Sequence, residues 1–240
     1  MKIYAYRMTS DTGYAPCVFE SGYKPSEKLT LACCKGGQLR SKKKNGECTG
    51  EKTPVNAGMR FTIGNNHYNR LNSDEQVYVI GILKDKIIWC AQITEIKMIT
   101  EYFSNEDSYG SRLDFIYKVN PNSLPSDKIG KLVRNEKHSL FHGKDMKEQH
   151  QRDELGKYVL ISDNFVYFGK SGKEVDKKLL DRLPKRQETK CYDSSDEDLC
   201  ALVNYLLSQG IHSKDPTERL VEKIVGGVNP NESYIIPQRL

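Results

Sequence analysis

The 240-residue sequence has no apolar run that approaches the roughly 20 residues needed to cross a bilayer. Its first residues, 1–7, become charged too early for the apolar segment of a secretory signal, so we interpret them as the first β-strand of the fold. Hydrophobic residues make up 37% of the chain and the mean hydropathy is -0.66. We therefore expect a water-soluble protein without a membrane partner, long enough to bury a substantial core.

The sequence also lacks paired cysteines. Its seven cysteines are odd in number and irregularly spaced, and no two of them form a Cys-x-x-Cys pair. This pattern disfavours both a disulfide framework and a zinc ribbon. We expect reduced thiols, a cytoplasmic location and no metal.

Three common catalytic signatures are missing as well. The chain has no Gly-x-x-x-x-Gly-Lys-Ser/Thr loop, no Gly-x-Gly-x-x-Gly after a strand and no Gly-x-Ser-x-Gly elbow. ATP hydrolysis, dinucleotide redox chemistry and esterase activity are therefore disfavoured, and no cofactor is expected.

Positive charge is concentrated in one short segment. The net charge is +5, and residues 35–44 contain five cations and no acid: Lys35, Arg40, Lys42, Lys43 and Lys44. Such a segment favours a polyanionic partner such as DNA. The alternative is a solvated surface loop, which is the commoner origin of a basic run.

The hydrophobic pattern predicts an α+β fold with a mixed or antiparallel, β-rich, barrel-like core. Residues 76–83 and 86–93 are apolar, β-branched runs joined by Lys84-Asp85, which predicts an antiparallel hairpin covered on both faces. Residues 157–162 and 165–169 form a second pair of strands around a turn. We assign residues 1–172 to this β-rich domain.

The remaining residues, 173–240, are predicted to be a helical extension packed on the core. Ser194-Ser195-Asp196-Glu197 has the form of a capping box with Ser194 as N-cap, and Gly210 ends the apolar periodicity. Asp215-Pro216 predicts a second helix start. The same region is a possible homodimer surface.

Two segments near the N-terminus carry candidate site residues. Asp11-Thr12-Gly13-Tyr14-Ala15-Pro16 is a turn in which the Asp11 side chain can accept backbone N–H groups, so it is either a ligand loop or simply a good turn. Residues 28–34 predict a buried strand that ends in Cys33 and Cys34. Neighbouring cations can lower the pKa of such a thiol and make it nucleophilic. A role as a small buried core residue is nevertheless commoner for cysteine.

A histidine-containing segment is the third candidate. His138 and His142 are four residues apart, which on a helix places them on one face, and His150 and Asp153 follow. No glutamate stands between the two histidines as in a His-Glu-x-x-His zinc site. Surface or hydrogen-bonding roles, and a phosphate or base contact, are therefore favoured over a metal.

Taken together, these segments resemble the nucleotide modification associated domain families, most closely the second of that group. The shared features are Asp11–Pro16, then residues 29–35 followed by Arg40, and then Asp153 with residues 159–162 and 167–169. The resemblance covers residues 1–172. Residues 57–64 depart from the family pattern, because its acidic and tryptophan positions are missing there.

The resemblance implies a link to systems that make, recognise or restrict modified DNA bases in phages and bacteria. A pocket for a flipped base needs a stacking aromatic and polar groups for the edge of the base. The candidates for these binding roles are Tyr14, Trp89, Tyr167, Asp11, Lys35, Arg40 and Asp153.

Three interpretations remain open from the sequence, and the third is a protein-interaction component of a defence or modification operon, with the helical C-terminal region as a dimer surface. One is a nucleotide or modified-base binding protein in a modification or restriction setting. The alternative is an enzyme acting on nucleotides or DNA bases, with Asp11, Cys34 and His142 as catalytic residues.

Overall fold

The computed structural model describes residues 1–34, 36–44, 47–71, 75–124, 130–135, 146–210, 212–213 and 215–217. The side chains of residues 38–57, 134 and 146–149 lie outside this description. Over the described ranges, none of the helices combines the length and the apolar character that a bilayer crossing demands.

The chain alternates many short strands with short helices. The strands are β1 (Lys2–Met8), β2 (Cys17–Glu20), β3 (Lys24–Leu31), β4 (Gly37–Lys44), β5 (Glu47–Ala57), β6 (Val77–Leu83), β7 (Lys86–Gln92), β8 (Glu95–Met98), β9 (Tyr117–Val119), β10 (Leu132–Arg134), β11 (Tyr158–Ser162), β12 (Asn164–Tyr167), β13 (Lys173–Glu174) and β14 (Thr189–Asp193). The helices are α1 (Met59–His67), α2 (Ile99–Ser104), α3 (Glu106–Tyr109), α4 (Met146–Leu155), α5 (Lys177–Leu180) and α6 (Glu197–Ser208), with a 3₁₀ turn at Gly169–Ser171.

A six-stranded mixed sheet forms the centre of the molecule, in the order β12-β7-β6-β1-β14, with β13 also paired to β7. Strand β1 runs parallel to β6 and antiparallel to β14. The predicted β6–β7 hairpin is confirmed, and Lys84 adopts a φ of 55° in its turn. The hairpin bulges at Gly81, where a Cβ would lie 1.9 Å from the Trp89 indole nitrogen. The close approach of this indole requires glycine.

Both faces of the central sheet are buried, as the apolar pattern of β6 and β7 predicts. Val77 and Val79 contribute to one hydrophobic cluster, whereas Tyr78, Ile80 and Ile82 contribute to a second cluster on the opposite face. Alternation along a strand explains this division, since successive side chains point to opposite faces.

A second, four-stranded sheet in the order β2-β3-β11-β8 covers the first hydrophobic cluster. The chain passes from this sheet to the central one at Asp163, between β11 and β12. The predicted turn at 162–164 is therefore a corner between two sheets.

Helix α6 covers the opposite face through Leu199, Val203 and Leu206, as predicted. The predicted N-cap was wrong by two residues: the carboxylate of Asp196, not Ser194, accepts the Leu199 N–H at 3.2 Å. Ser194 and Ser195 precede the helix in a turn. The predicted helix after Asp215 falls mostly on residues 218–240, outside the described residues.

The α+β class is confirmed, but the barrel-like core is too specific. Among the described residues, both larger sheets remain open rather than closing on themselves. Strands β13 and β14, which follow residue 172, join the same sheet as β1. The division of the chain at residue 172 stays a prediction.

A buried charged network fastens the four-stranded sheet. The Arg112 guanidinium donates to the Cys17 and Lys28 carbonyl oxygens at 2.6 and 2.9 Å and lies 3.7 Å from an Asp114 carboxylate oxygen. Asp114 also accepts hydrogen bonds from Thr30 and Tyr102, at 2.6 and 2.8 Å. Its charge is therefore fully compensated inside the protein.

We expect Arg112→Met to destabilise the protein by about 3–5 kcal/mol, because it leaves a buried carboxylate without its cation. The melting temperature should fall by roughly 10 °C. Arg186→Met, at an exposed arginine, is the matched control and should shift the melting temperature far less. Equal shifts in a calorimetric scan would contradict the structural role of Arg112.

Candidate functional site

The Asp11 turn follows β1 and is closed by side chains far away in the sequence. The Tyr167 hydroxyl lies 2.8 Å from both Asp11 carboxylate oxygens. The Thr217 N–H and hydroxyl donate to the same carboxylate at 3.1 and 2.9 Å. Gly13 adopts a φ of 79°, which glycine tolerates without strain. Asp11 therefore joins β12 to the segment that follows α6.

The Asp11 carboxylate is almost completely buried. Burial raises its pKa above the usual aspartate value, and the hydrogen bonds from Thr217 and Tyr167 oppose that rise. Because these internal donors occupy both oxygens, Asp11 has little free capacity for a ligand while the turn is closed.

The Asp11 turn and the cysteine pair contact each other. The Cys33 thiol lies 3.4 Å from the Tyr14 carbonyl oxygen. Cys33 is buried, and its pKa is raised well above the usual thiol value by the neighbouring Cys34 thiol and by burial. Cys33 is thus a packing residue rather than a nucleophile. The predicted strand 28–34 ends early, because β3 stops at Leu31.

Tyr6 lies between the two segments. Burial raises the pKa of Tyr6, the Trp89 indole N–H lowers it, and the charges of Cys34 and Asp11 raise it further. The Tyr6 and Trp89 rings meet edge to face, with centroids 5.8 Å apart. A polar, aromatic core therefore connects the Asp11 turn to the cysteines.

A second group of buried contacts forms around Asp153, at the end of α4. We call this group, which includes Cys34, Arg60 and Tyr117, the Asp153 junction. One Asp153 carboxylate oxygen accepts the Cys34 backbone N–H, and the other accepts the Tyr117 hydroxyl at 2.9 Å. Cys34 is half-buried and has a φ of 59°, which is uncommon for a residue with a side chain. Asp153 thus holds Cys34 in a conformation that it would not readily adopt alone.

Arg60, on α1, completes this junction. Its guanidinium donates to the carbonyl oxygens of Cys34, Tyr158 and Asp153, at 2.7, 2.7 and 2.6 Å. It also lies 3.9 Å from an Asp153 carboxylate oxygen, and both side chains are fully buried. A Cβ at Gly156 would approach this guanidinium within 2.4 Å, so glycine is required there.

His150 is stacked on the outer side of the same junction. Its ring lies 4.7 Å from the Tyr117 ring at an interplanar angle of 17°, and its Nε2 lies 3.6 Å from a Glu154 carboxylate oxygen. Burial raises the pKa of Glu154, but His150 and the N–H groups of Gly130 and Leu132 outweigh burial and lower it. Glu154 is therefore an anion that anchors His150 and the β10 region.

The cationic segment begins directly beside this junction. Strands β4 and β5 form a two-stranded antiparallel sheet of their own, with pairing from Gly37–Ala57 to Lys44–Glu47. At its base, the Gly58 N–H donates to the Gly36 carbonyl oxygen at 2.9 Å. A Cβ at Gly36 would lie 1.9 Å from the Arg152 carbonyl oxygen. The backbone at the start of the hairpin therefore packs closely against α4, and only glycine fits there. We call residues 37–57 the basic hairpin.

The structure brings some of the predicted site residues together. Asp11 and Tyr14 lie in the turn and Tyr167 contacts it from β12, whereas Cys34 and Asp153 belong to the junction. Lys35 and His142 lie outside the described residues, and only the backbone of Arg40 is described, on β4. Across the described part of the chain, no group of three or more His, Cys, Asp or Glu side chains is placed to hold a metal ion.

The predicted base-stacking aromatics are all interior. Tyr14, Trp89 and Tyr167 are at most 1% exposed. Arg60 and Tyr117, in contrast, were missed by sequence reasoning. Neither belongs to a recognisable motif, and a buried arginine cannot be distinguished from a surface one by its neighbours in the chain.

Comparison with protein families identifies one match. The family model described as nucleotide modification associated domain 2 matches residues 1–223, and so confirms the resemblance and extends it past α6. No curated protein and no solved structure shows significant similarity to the chain.

Proposed function

The chain belongs to the nucleotide modification associated domain 2 family, and on this premise we propose that it binds DNA through the basic hairpin. The family description links the chain to nucleotide modification systems. The hairpin enters the major groove with its cations against the flanking phosphates, and the core behind it fixes its direction.

One observation carries this proposal: the cation-rich segment forms a two-stranded antiparallel ribbon. The basic hairpin contains five cations and two acids, namely Arg40, Lys42, Lys43, Lys44, Lys52, Glu47 and Glu51. A two-stranded β-ribbon fits the major groove of B-DNA. Eight residues of strand span about 25 Å, which is enough to follow several phosphates.

The junction supports the proposal because it fixes the base of the hairpin. The chain enters β4 just after Cys34, which Asp153 and Arg60 hold, and it leaves β5 just before α1, which carries Arg60. Both ends of the hairpin are therefore tied to one buried charged network. A binding element fixed in advance loses less conformational entropy when its ligand arrives.

Recognition of a modified base is the finer part of the proposal. A base can reach Tyr14 only if the Asp11 turn opens, and Thr217 is one of the residues that hold it closed. We propose that Asp11, Tyr14 and Tyr167 form the base site after this opening. Thr217→Val removes the hydroxyl donor and should increase any preference for the modified base.

A second candidate function is favoured by the geometry of Cys34. Cys34 is half-buried and has a positive φ, and its backbone N–H donates to the Asp153 carboxylate, which also accepts the Tyr117 hydroxyl. Unusual backbone conformations are concentrated at functional sites. An enzyme with Cys34 as nucleophile, and with Asp11 and His142 in supporting roles, is the alternative.

The test is a binding titration of the full chain against 25-base-pair duplexes of one sequence. The duplexes contain either cytosine or 5-hydroxymethylcytosine, and free nucleotides form a third series. We expect duplex binding that weakens steeply between 50 and 200 mM salt, with log–log slope near -0.9 for each phosphate contacted. An absence of duplex binding at 50 mM salt would sink the proposal.

Mass spectrometry of the same mixtures separates binding from turnover. Unchanged DNA and nucleotides support a binding protein. A product that the parent protein forms, and that Cys34→Ala fails to form while it still binds, would establish the enzyme in its place.

A further inference from the structure

The segment that follows α6 returns to the central sheet and adds to the edge formed by β12. We call the described residues of this segment, 212–213 and 215–217, the strap. His212 forms a parallel bridge with Tyr167, the last residue of β12, and the Ser213 N–H donates to the Tyr167 carbonyl oxygen at 2.7 Å. The strap is therefore docked on a strand that carries a residue of the proposed base site.

Two further contacts hold the strap against the domain. The Asp215 carbonyl oxygen accepts the Lys170 N–H at 3.2 Å, and a Cβ at Gly169 would lie 1.9 Å from the same oxygen. The His212 and Phe165 rings meet edge to face, with centroids 4.6 Å apart. The strap thus fits closely along the outer side of β12 and the turn after it.

The far end of the strap supplies donors to Asp11. The Thr217 N–H and hydroxyl both approach Asp11 Oδ2, at 3.1 and 2.9 Å, and the preceding residue, Pro216, is buried. The Tyr167 hydroxyl and the Gly13 N–H reach Asp11 from within the domain, at 2.8 and 3.4 Å. Release of the strap removes the two Thr217 donors and empties the space that Pro216 and Thr217 fill.

The chemistry of Asp11 restricts what can replace the strap. An ionised carboxylate only accepts hydrogen bonds, and an acceptor left unpaired inside a protein is costly. A replacement must therefore bring its own donors to Oδ2. Guanine carries the neighbouring donors N1–H and N2–H, and 5-hydroxymethylcytosine carries an N4–H beside its hydroxyl. Adenine, cytosine and uracil instead place an acceptor beside the donor of their pairing edge.

We propose that the strap is autoinhibitory and imitates the ligand: Thr217 occupies the place on Asp11 of a base whose edge presents two neighbouring donors. This inference rests on the base site proposed above at Asp11, Tyr14 and Tyr167, and is independent of the basic hairpin. A base binds only after the strap is released, so the fraction of molecules with a released strap limits the apparent affinity.

Two matched pairs of deoxynucleotides test the donor requirement on the full chain. The nucleotides dGMP and dIMP differ by the N2 amine, and 5-hydroxymethyl-dCMP and dCMP differ by the hydroxyl. We expect the two-donor member of each pair to bind about tenfold more tightly in isothermal titration calorimetry, because a missing donor leaves the charged acceptor underpaired. Equal affinities within both pairs, or no binding of any of the four nucleotides, would overturn the proposal.

Loosening the strap tests the autoinhibition separately. Ser213→Pro removes the N–H that docks the strap on β12 and leaves Asp11 unchanged. It should strengthen binding of all four nucleotides by one common factor of about three to ten, so that discrimination within each pair is kept. Ser194→Pro, in the exposed turn before α6, also follows an extended residue and is the matched control. Parental affinities in a folded Ser213→Pro protein would contradict autoinhibition.

Amide hydrogen exchange reports on the strap itself. Saturating dGMP should speed exchange of the Ser213 and Thr217 amides, because both lose their acceptors when the strap leaves. Slower exchange of both amides would show that the nucleotide binds with the strap in place, against the proposal. Asp11→Asn should abolish the preference for dGMP over dIMP, since an amide both donates and accepts. If that variant loses its circular dichroism spectrum, the exchange measurement on the parent protein decides.

The strap and the basic hairpin can fail separately. Salt-dependent duplex binding by a protein that does not prefer dGMP over dIMP would overturn the strap proposal and leave the hairpin proposal intact. A preference for dGMP that accompanies faster Thr217 exchange, in a protein that does not bind the duplexes at 50 mM salt, would do the reverse.

Discussion

Replacing Arg40, Lys42, Lys43 and Lys44 with alanine is expected to weaken duplex DNA binding by about 100- to 1,000-fold at roughly 0.1 M salt. Each lost phosphate contact removes about 0.9 from the log–log salt slope. Loss of four contacts should therefore flatten the slope by about 3 to 4. The four positions lie on one strand, β4, so the effect reports on contact along this strand rather than on scattered surface charge.

A charge-matched variant separates the hairpin from the overall charge of the protein. Lys177, Lys178, Lys185 and Lys190 are exposed and belong to the segment after residue 172. Their joint replacement by alanine removes the same charge and should weaken binding only slightly. Fluorescence anisotropy between 50 and 200 mM salt measures both variants. Equal losses would show that the protein attracts DNA through net charge alone.

Arg60→Met is expected to destabilise the protein by about 3–5 kcal/mol, because the buried Asp153 carboxylate would lose the buried guanidinium 3.9 Å from it. Three backbone carbonyl oxygens would also lose the hydrogen bond from Arg60, although the Asp153 carbonyl oxygen keeps the one from the Gly156 N–H at 3.1 Å. Arg60→Lys should recover only part of the loss, since a single ammonium cannot reproduce the planar fork. Urea denaturation measures the change.

The same substitution connects stability to binding. Arg60 holds Cys34 at the start of the basic hairpin, so Arg60→Lys should weaken DNA binding even in buffer where the variant is folded. Arg70→Met, at an exposed arginine, is the control and should change neither quantity much. A folded Arg60→Lys protein with parental affinity would show that the junction serves stability only.

Much of the secondary structure could be read from local pattern. The β6–β7 hairpin followed from two apolar runs around Lys84-Asp85, and the apolar stripe of α6 followed from Leu199, Val203 and Leu206. The exact start of α6 was misplaced because several of its preceding residues are good N-caps. The packing of α6 on the sheet determines that Asp196 is the N-cap. The local capping pattern carries no information about this packing.

Only part of the candidate site could be predicted from local sequence pattern. The Asp11 turn and the cysteines were identified as neighbours in function, and Cys33 does contact Tyr14. That Tyr14 and Tyr167 are buried could not be inferred, since an aromatic residue on a turn or a strand can face either side. The partners of Asp153 were missed because Arg60 and Tyr117 are distant in sequence.

By itself the sequence determined the α+β class, the family and the basic segment, because each depends on residues close together in the chain. Only the tertiary structure decided that this segment is a β-ribbon tied to a buried charged network. It also decided that Thr217 closes over Asp11, 206 positions away, and that His67 reaches Tyr4. Such pairings depend on how the sheets stack. Contacts between residues distant in sequence produce no periodic pattern from which they could be predicted.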